Sequence, residues 1–220
     1  FNLSYTTYFS RYQGNLISAY LIRDFYTFSW LRPFDQRSTY WSHTLSATRL
    51  LTRLSLTAGL QITYARNAST LEQQGATIDY TDHSFTLSPS LKWNARRNLN
   101  FDYVASLSYT GVSIDRSAVD RYIPFLDHRL YTYWGLTPRL SLTSTLQHYY
   151  TQSPDISATN LFFADLGLRF SFPHMTVSLD WTNLLNRRTY VVTGYNAINT
   201  YTRTDRLRPS EFLISFRFKR

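Results

Sequence analysis

From Met175 to Thr182 the chain alternates without a break. Met175, Val177, Leu179 and Trp181 fall on one side of an extended backbone, and Thr176, Ser178, Asp180 and Thr182 on the other. A period of two belongs to a strand with one apolar and one polar face, because successive side chains of a strand point to opposite sides. The pattern returns from Arg53 to Tyr64, where Leu54, Leu56, Ala58, Leu60, Ile62 and Tyr64 oppose Arg53, Ser55, Thr57, Gly59, Gln61 and Thr63. It returns again from Leu99 to Tyr109 and from Phe212 to Phe218. Weaker apolar sets are Leu140, Leu142 and Leu146, then Leu166, Leu168, Phe170 and Phe172. Another, Phe85, Leu87, Leu91 and Trp93, is interrupted by Pro89, which points to a bulge or an unpaired position.

The alternation predicts about eleven strands of roughly 10–15 residues, three of them over 1–12, 16–30 and 39–50. Such strands exceed the ~5–6 residues usual in globular sheets and suit a tilted strand that crosses a bilayer in ~9–11 residues. Tight turns are expected at Gln13-Gly14-Asn15, Leu51-Thr52, Ala95 to Asn98, Thr137-Pro138 and Phe172-Pro173-His174. Longer polar loops are expected over 31–38, 66–78, 111–124, 152–159 and 188–206. Short and long connections then alternate, as they do in an outer-membrane barrel with short periplasmic turns and long outer loops. On that parity the last strand runs down to the periplasmic end, and the odd count asks for at least one more strand upstream.

Composition agrees with a barrel wall. Eighteen Tyr and fifteen Phe favour strands over helices. No apolar run approaches the ~18 residues of a membrane-crossing helix, but only every second residue of a barrel strand faces lipid. The formal charge of +9 is dispersed, with several basic residues at turns and strand ends, so no nucleic-acid partner is expected. Absence of cysteine removes a disulfide framework and any thiolate metal site. The chain starts at Phe1 with no signal peptide, and a barrel needs export, so a processed chain or a piece of a longer one is expected.

Aromatic residues cluster at strand ends. Trp93, Trp134, Phe172 and Phe218 lie near the expected periplasmic ends, and Tyr64, Tyr109, Tyr149 and Tyr150 near the outer ends. Two interfacial belts are the expected arrangement. Ser55, Thr57, Gln61, Thr176, Ser178 and Asp180 are expected to face the lumen, joined by Asp165 and Arg169. Loop residues Tyr195, Asn196, Asn199, Tyr201 and Arg203 are placed where an outer mouth could touch a ligand.

Catalytic signatures are weak. None of His43, His83, His128, His148 and His174 has metal-ligand spacing, and no glycine-rich phosphate loop is present. Asp127 and His128 are adjacent in a strand and so point apart. A hydrolase arrangement could involve Ser144 and His148, or His148 alone, but Ser is abundant in every strand and the pairing carries little weight. No enzyme activity, cofactor or metal is expected, and no ligand-binding residue is assigned.

The last 45 or so residues carry the motif Val177-Ser-Leu-Asp-Trp-Thr-Asn-Leu-Leu-Asn-Arg-Arg-Thr-Tyr190, then Arg208-Pro-Ser-Glu-Phe-Leu-Ile-Ser-Phe-Arg-Phe218. This stretch resembles the C-terminus of TonB-dependent outer-membrane receptors of the type common in Bacteroidota. The chain departs from that pattern in ending Phe218-Lys219-Arg220 rather than on Phe, and neither a plug domain nor a TonB-contacting box is found. The resemblance implies that 1–220 is a single barrel segment, the C-terminal half of an all-β transmembrane antiparallel barrel of about 22 strands. It implies outer-membrane lipid, an N-terminal plug, the remaining barrel strands and the TonB energy complex as partners. The function implied is uptake of a scarce nutrient such as a metal chelate, vitamin, glycan or peptide. A passive porin or other small complete barrel is the alternative, and an outer-membrane hydrolase or soluble β-sandwich or propeller the remaining ones.

Overall fold

The computed structural model describes residues 1–23, 26–96, 98–114, 121–153, 156–195 and 200–218. These residues are almost wholly strand. In chain order they form β1 (Asn2–Arg23), β2 (Tyr26–Leu51), β3 (Leu56–Gln73), β4 (Ala76–Arg96), β5 (Leu99–Ile114) and β6 (Arg121–Gly135). There follow β7 (Leu140–Ser153), β8 (Ile156–Ser171), β9 (Met175–Thr182), β10 (Thr189–Tyr195), β11 (Thr200–Arg206) and β12 (Glu211–Phe218). Ten of them make one sheet in the order β1 to β9 and then β12, antiparallel between successive strands, with one short parallel pairing of β1 to β3 at Ala19–Glu72 and Tyr20–Gln73. β10 and β11 form a separate two-stranded ribbon. β1 and β12 are the two edges, and among the described residues the sheet is not closed into a barrel.

Several sequence expectations are corrected here. The turn expected at Gln13-Gly14-Asn15 is a β-bulge inside β1, where the register against β2 shifts between Gly14 and Leu16. Glycine in a strand interior marks a bulge as readily as a turn. The loop expected over 31–38 lies inside β2, with Leu31 opposite Ser18 and Arg37 opposite Gln13. The three short strands of the first fifty residues are therefore two long ones.

The loop expected over 66–78 is also strand. β3 and β4 pair out to Gln73 and Ala76 around Gln74-Gly75, whose φ values of 53° and 82° match a tight primed hairpin turn. Loop 188–206 becomes the β10–β11 ribbon. The expected alternation of short turns with long polar loops is thus not found: where long loops were expected the strands themselves overhang, and β3 and β4 are joined by only two residues. Among the described residues the main sheet has ten strands, where about eleven were expected.

At the short-turn end the expected connections hold. Thr52–Leu54 is a 3₁₀ turn closed by Ser55 in the left-handed region (φ 49°), so Ser55 is a turn residue and not a strand residue facing a lumen. Thr137 Oγ1 accepts from the backbone N–H groups of Arg139 (3.2 Å) and Leu140 (3.0 Å). Asn98 donates its side-chain amide to the Gly135 carbonyl at 3.0 Å and receives the Gly135 N–H at 2.6 Å.

Candidate functional site

Cross-strand partners share a face, so the register divides the sheet into two surfaces. One carries, across β3, β4, β5 and β6, rows such as Leu56–Trp93–Phe101–Thr132 and Ile62–Leu87–Leu107–Leu126. It continues through Leu130–Leu146–Ala164 and Leu142–Leu168–Leu179–Ile214 to the far edge. At the other edge it includes Leu3, Tyr5 and Phe9. Much of this face is open to solvent: Leu60 is 41% exposed and Leu146 49%.

The opposite face is polar. Lys92, Asp102, Asp127, Arg129, Asp165, Arg169, Asp180, Glu211 and Arg217 all lie on it. On the apolar face the charged residues stand at the margins. Arg49, opposite Ala58, marks one margin, and Arg66, opposite Trp41 and His83, marks the other. Eight residue steps along β3 separate them, about 27 Å along the strand. Between those margins the described apolar face carries no Asp, Glu, Lys or Arg.

Amphipathic rings frame this band. Near the short turns Trp93 stacks on Phe101 (5.5 Å between centroids) and donates its indole N–H to the Leu54 carbonyl at 2.8 Å. At the far margin the Tyr5 hydroxyl meets His43 Nδ1 at 2.6 Å and the Tyr64 hydroxyl meets His83 Nδ1 at 3.0 Å, with Trp41 edge-on to both His43 and Tyr64. Tyr64, Tyr109 and Tyr150 are on the apolar face as a belt requires. Tyr149 is not. It opposes Asp127 on the polar face, 3% exposed, because neighbouring strand residues cannot share a side.

On the polar face, short side chains knit the strands through Thr44–Thr63 and Thr86–Ser108 contacts of 3.2 Å. Near the short-turn end lies a groove of about 510 Å³, lined by Tyr131, Tyr133, Thr143, Arg169, Ser178 and Asp180 among others. Gly167 shapes it: a Cβ there would sit 2.5 Å from Thr143 Oγ1 and 3.0 Å from Asp180 Oδ1. The sequence anticipated Arg169, Ser178 and Asp180, which meet here. It also placed Thr57, Gln61, Thr176 and Asp165 on the right face, but on β3 or away from the groove. Tyr131 and Tyr133 were missed, because β6 lacks a clean alternation.

No protein-family profile, curated protein or solved structure matches this chain. The geometry therefore stands alone, and it is informative about chemistry. Asp127 and His128 do point apart, the first accepting from Gln147 at 2.9 Å and the second meeting His148 at 2.8 Å. Ser144 and His148 share a face but lie four residues apart on β7, ~13 Å along the strand. Both ring nitrogens of His148 are engaged elsewhere, by His128 and Asn160. A serine–histidine dyad is not assembled. Of the expected mouth residues, Asn196 and Asn199 and the side chains of Tyr195 and Tyr201 lie outside the described residues, and Arg203 pairs with Asp205 at 2.9 Å.

The β10–β11 ribbon folds back over the polar face. Tyr190 of β10 packs edge-on to Tyr149 (5.1 Å) and near Phe163 (6.1 Å), while Phe125 meets Tyr149 at 5.1 Å. Burial pushes the Tyr190 phenol above its ordinary range; a hydrogen bond from Tyr149 pulls it partly back, and Asp127 and Asp205 push it up. A raised phenol contributes stability below the unfolded tyrosine pKa of ~10 and loses it as pH climbs through the raised folded value. The ribbon is accordingly expected to become more protease-sensitive above pH ~10, and less so in Tyr190→Phe, which cannot ionise. Limited proteolysis across that range measures it.

Proposed function

We propose that this chain is wall from an outer-membrane β-barrel importer, its apolar face in lipid and its polar face toward the solute path. The observation that carries this reading is the partition of charge. An apolar band ~27 Å long across ten strands ~4.8 Å apart amounts to on the order of 1,000 Å², where a soluble monomer's largest apolar patch is ~300–600 Å². Water would not tolerate that face uncovered, and lipid covers it without a partner protein. Aromatic residues at both margins and charge confined to the other face support the same placement.

The resemblance of the Asn183–Tyr190 and Arg208–Phe218 segments to TonB-dependent receptors makes energised uptake of a scarce nutrient the leading activity. Their junction supports this, since the two segments are bound to each other, as described below. A passive pore is the second reading. It is favoured by the even strand number and by β1 and β12 running in opposite directions from the short-turn end, as strands that pair must.

Refolding into phosphatidylcholine vesicles tests the membrane placement. The sheet is expected to resist carbonate extraction and external protease; a monodisperse, detergent-free soluble protein would overturn it. Energised uptake is separated from a passive pore by conductance in planar bilayers. Steady conductance without an energy source sinks the receptor reading and supports the pore.

A further inference from the structure

His128 and His148 stand directly opposite each other on β6 and β7. His128 Nε2 lies 2.8 Å from His148 Nδ1, with the two rings perpendicular (88°) and their centroids 4.9 Å apart. Phe162 stacks flat on His148 at 4.1 Å, and Tyr103 packs edge-on to His128 at 6.0 Å, so neighbours on both sides hold the rings. The far nitrogen of His148, Nε2, is 2.7 Å from the Asn160 carboxamide oxygen. With that oxygen accepting, Nε2 carries the proton and Nδ1 turns its lone pair toward His128.

We propose that His128 and His148 form a two-imidazole site for a divalent transition-metal ion, with Cu²⁺ the tightest-bound. Two nitrogens each ~2.0–2.1 Å from a metal stand about 2.9–3.3 Å apart at square-planar to tetrahedral angles. The nitrogens therefore part by only a few tenths of an ångström, while each ring turns so that its lone pair points at the ion rather than at the other imidazole. His128 shifts its proton from Nε2 to Nδ1 and stays neutral; the pair lies on the apolar face, two residues along β7 from Tyr150 of the outer belt, where headgroup water fills the remaining positions. Asn160 plays the part usual for the partner of a metal-bound imidazole, fixing tautomer and ring orientation through the distal N–H. Imidazole ligation without carboxylate or thiolate suits Cu²⁺, Ni²⁺ and Zn²⁺, and the divalent series peaks at Cu²⁺. Among the described residues no third His, Cys, Asp or Glu joins the pair, so the site is open and its affinity is that of two ligands. His43 and His83 differ: the Nδ1 of each is taken by a tyrosine hydroxyl.

The test titrates the full chain, in the detergent that keeps it monodisperse, with Cu²⁺ alone, followed by calorimetry and electron paramagnetic resonance. One equivalent with splitting from two nitrogens is expected. His128→Gln and His148→Gln should each weaken it at least tenfold, Asn160→Ala about tenfold, and His43→Gln and His83→Gln not at all. Equal losses in all four histidine variants, or unchanged binding in His148→Gln, overturn the site as adventitious coordination. Should the histidine variants fail to fold, Asn160→Ala decides alone, because unchanged affinity in that variant contradicts the proposed orientation.

Discussion

Leu146→Arg is expected to destabilise the folded sheet in lipid by about 2–4 kcal/mol, the cost of an arginine at mid-bilayer on a barrel's outer face. Leu146 lies midway along β7 on the apolar face, between Leu130 and Ala164, and is 49% exposed. Thr145→Arg is the matched control. It stands at the same depth but on the polar face, between Tyr131 and Asp165, where a cation has a carboxylate opposite. That change is expected to fall within ~0.5 kcal/mol, as surface substitutions usually do. Denaturant titration of both variants in vesicles reads the difference. If Leu146→Arg were as mild as Thr145→Arg, the apolar face would be lying in water and the membrane placement would fail.

The same alternation that assigns Leu146 to the apolar face shows how far the sequence could be read. Period-two runs such as Met175–Thr182 placed each side chain on the correct face, because face is a local property of an extended backbone. Long-range pairing is not local. His128 and His148 are twenty residues apart, and only the β6–β7 register makes them neighbours. Gly14 and Asn15 looked like a turn, yet a strand can absorb the same residues as a bulge, and the choice depends on whether β2 continues past them. Tyr149 was an avoidable error. With Tyr150 on the apolar face, strict alternation puts Tyr149 on the other, where it meets the ribbon. The groove at Arg169 and Asp180 was half legible: its strand residues followed the period, while Tyr131 and Tyr133 came from a strand whose two faces are both aromatic.

The junction motif shows why a sequence element can be recognisable before its role is. Asn183 and Asn186 both occupy the left-handed region, with φ 51° and 49°, a conformation that asparagine tolerates better than most residues. The Asn183 side chain then binds three backbone groups. It donates to the Arg187 carbonyl at 2.7 Å and the Arg208 carbonyl at 2.8 Å, and accepts from the Arg187 N–H at 2.9 Å. Its own N–H reaches Asp165 of β8 at 2.7 Å, and Asn186 Oδ1 receives the Ser210 N–H at 3.1 Å. One residue therefore ties the end of β9 to the entries of β10 and β12. Asn183→Ala removes three hydrogen bonds worth ~0.5–1.5 kcal/mol each and adds ~1 kcal/mol of left-handed strain. A loss of about 3 kcal/mol is expected by denaturant titration. Asn183→Gly separates the two contributions, since it relieves the strain but restores none of the side-chain bonds, and so should recover only about 1 kcal/mol. Full recovery in the glycine variant would mean that backbone conformation, and not the side-chain bridge from Arg187 to Arg208, holds β12 in place.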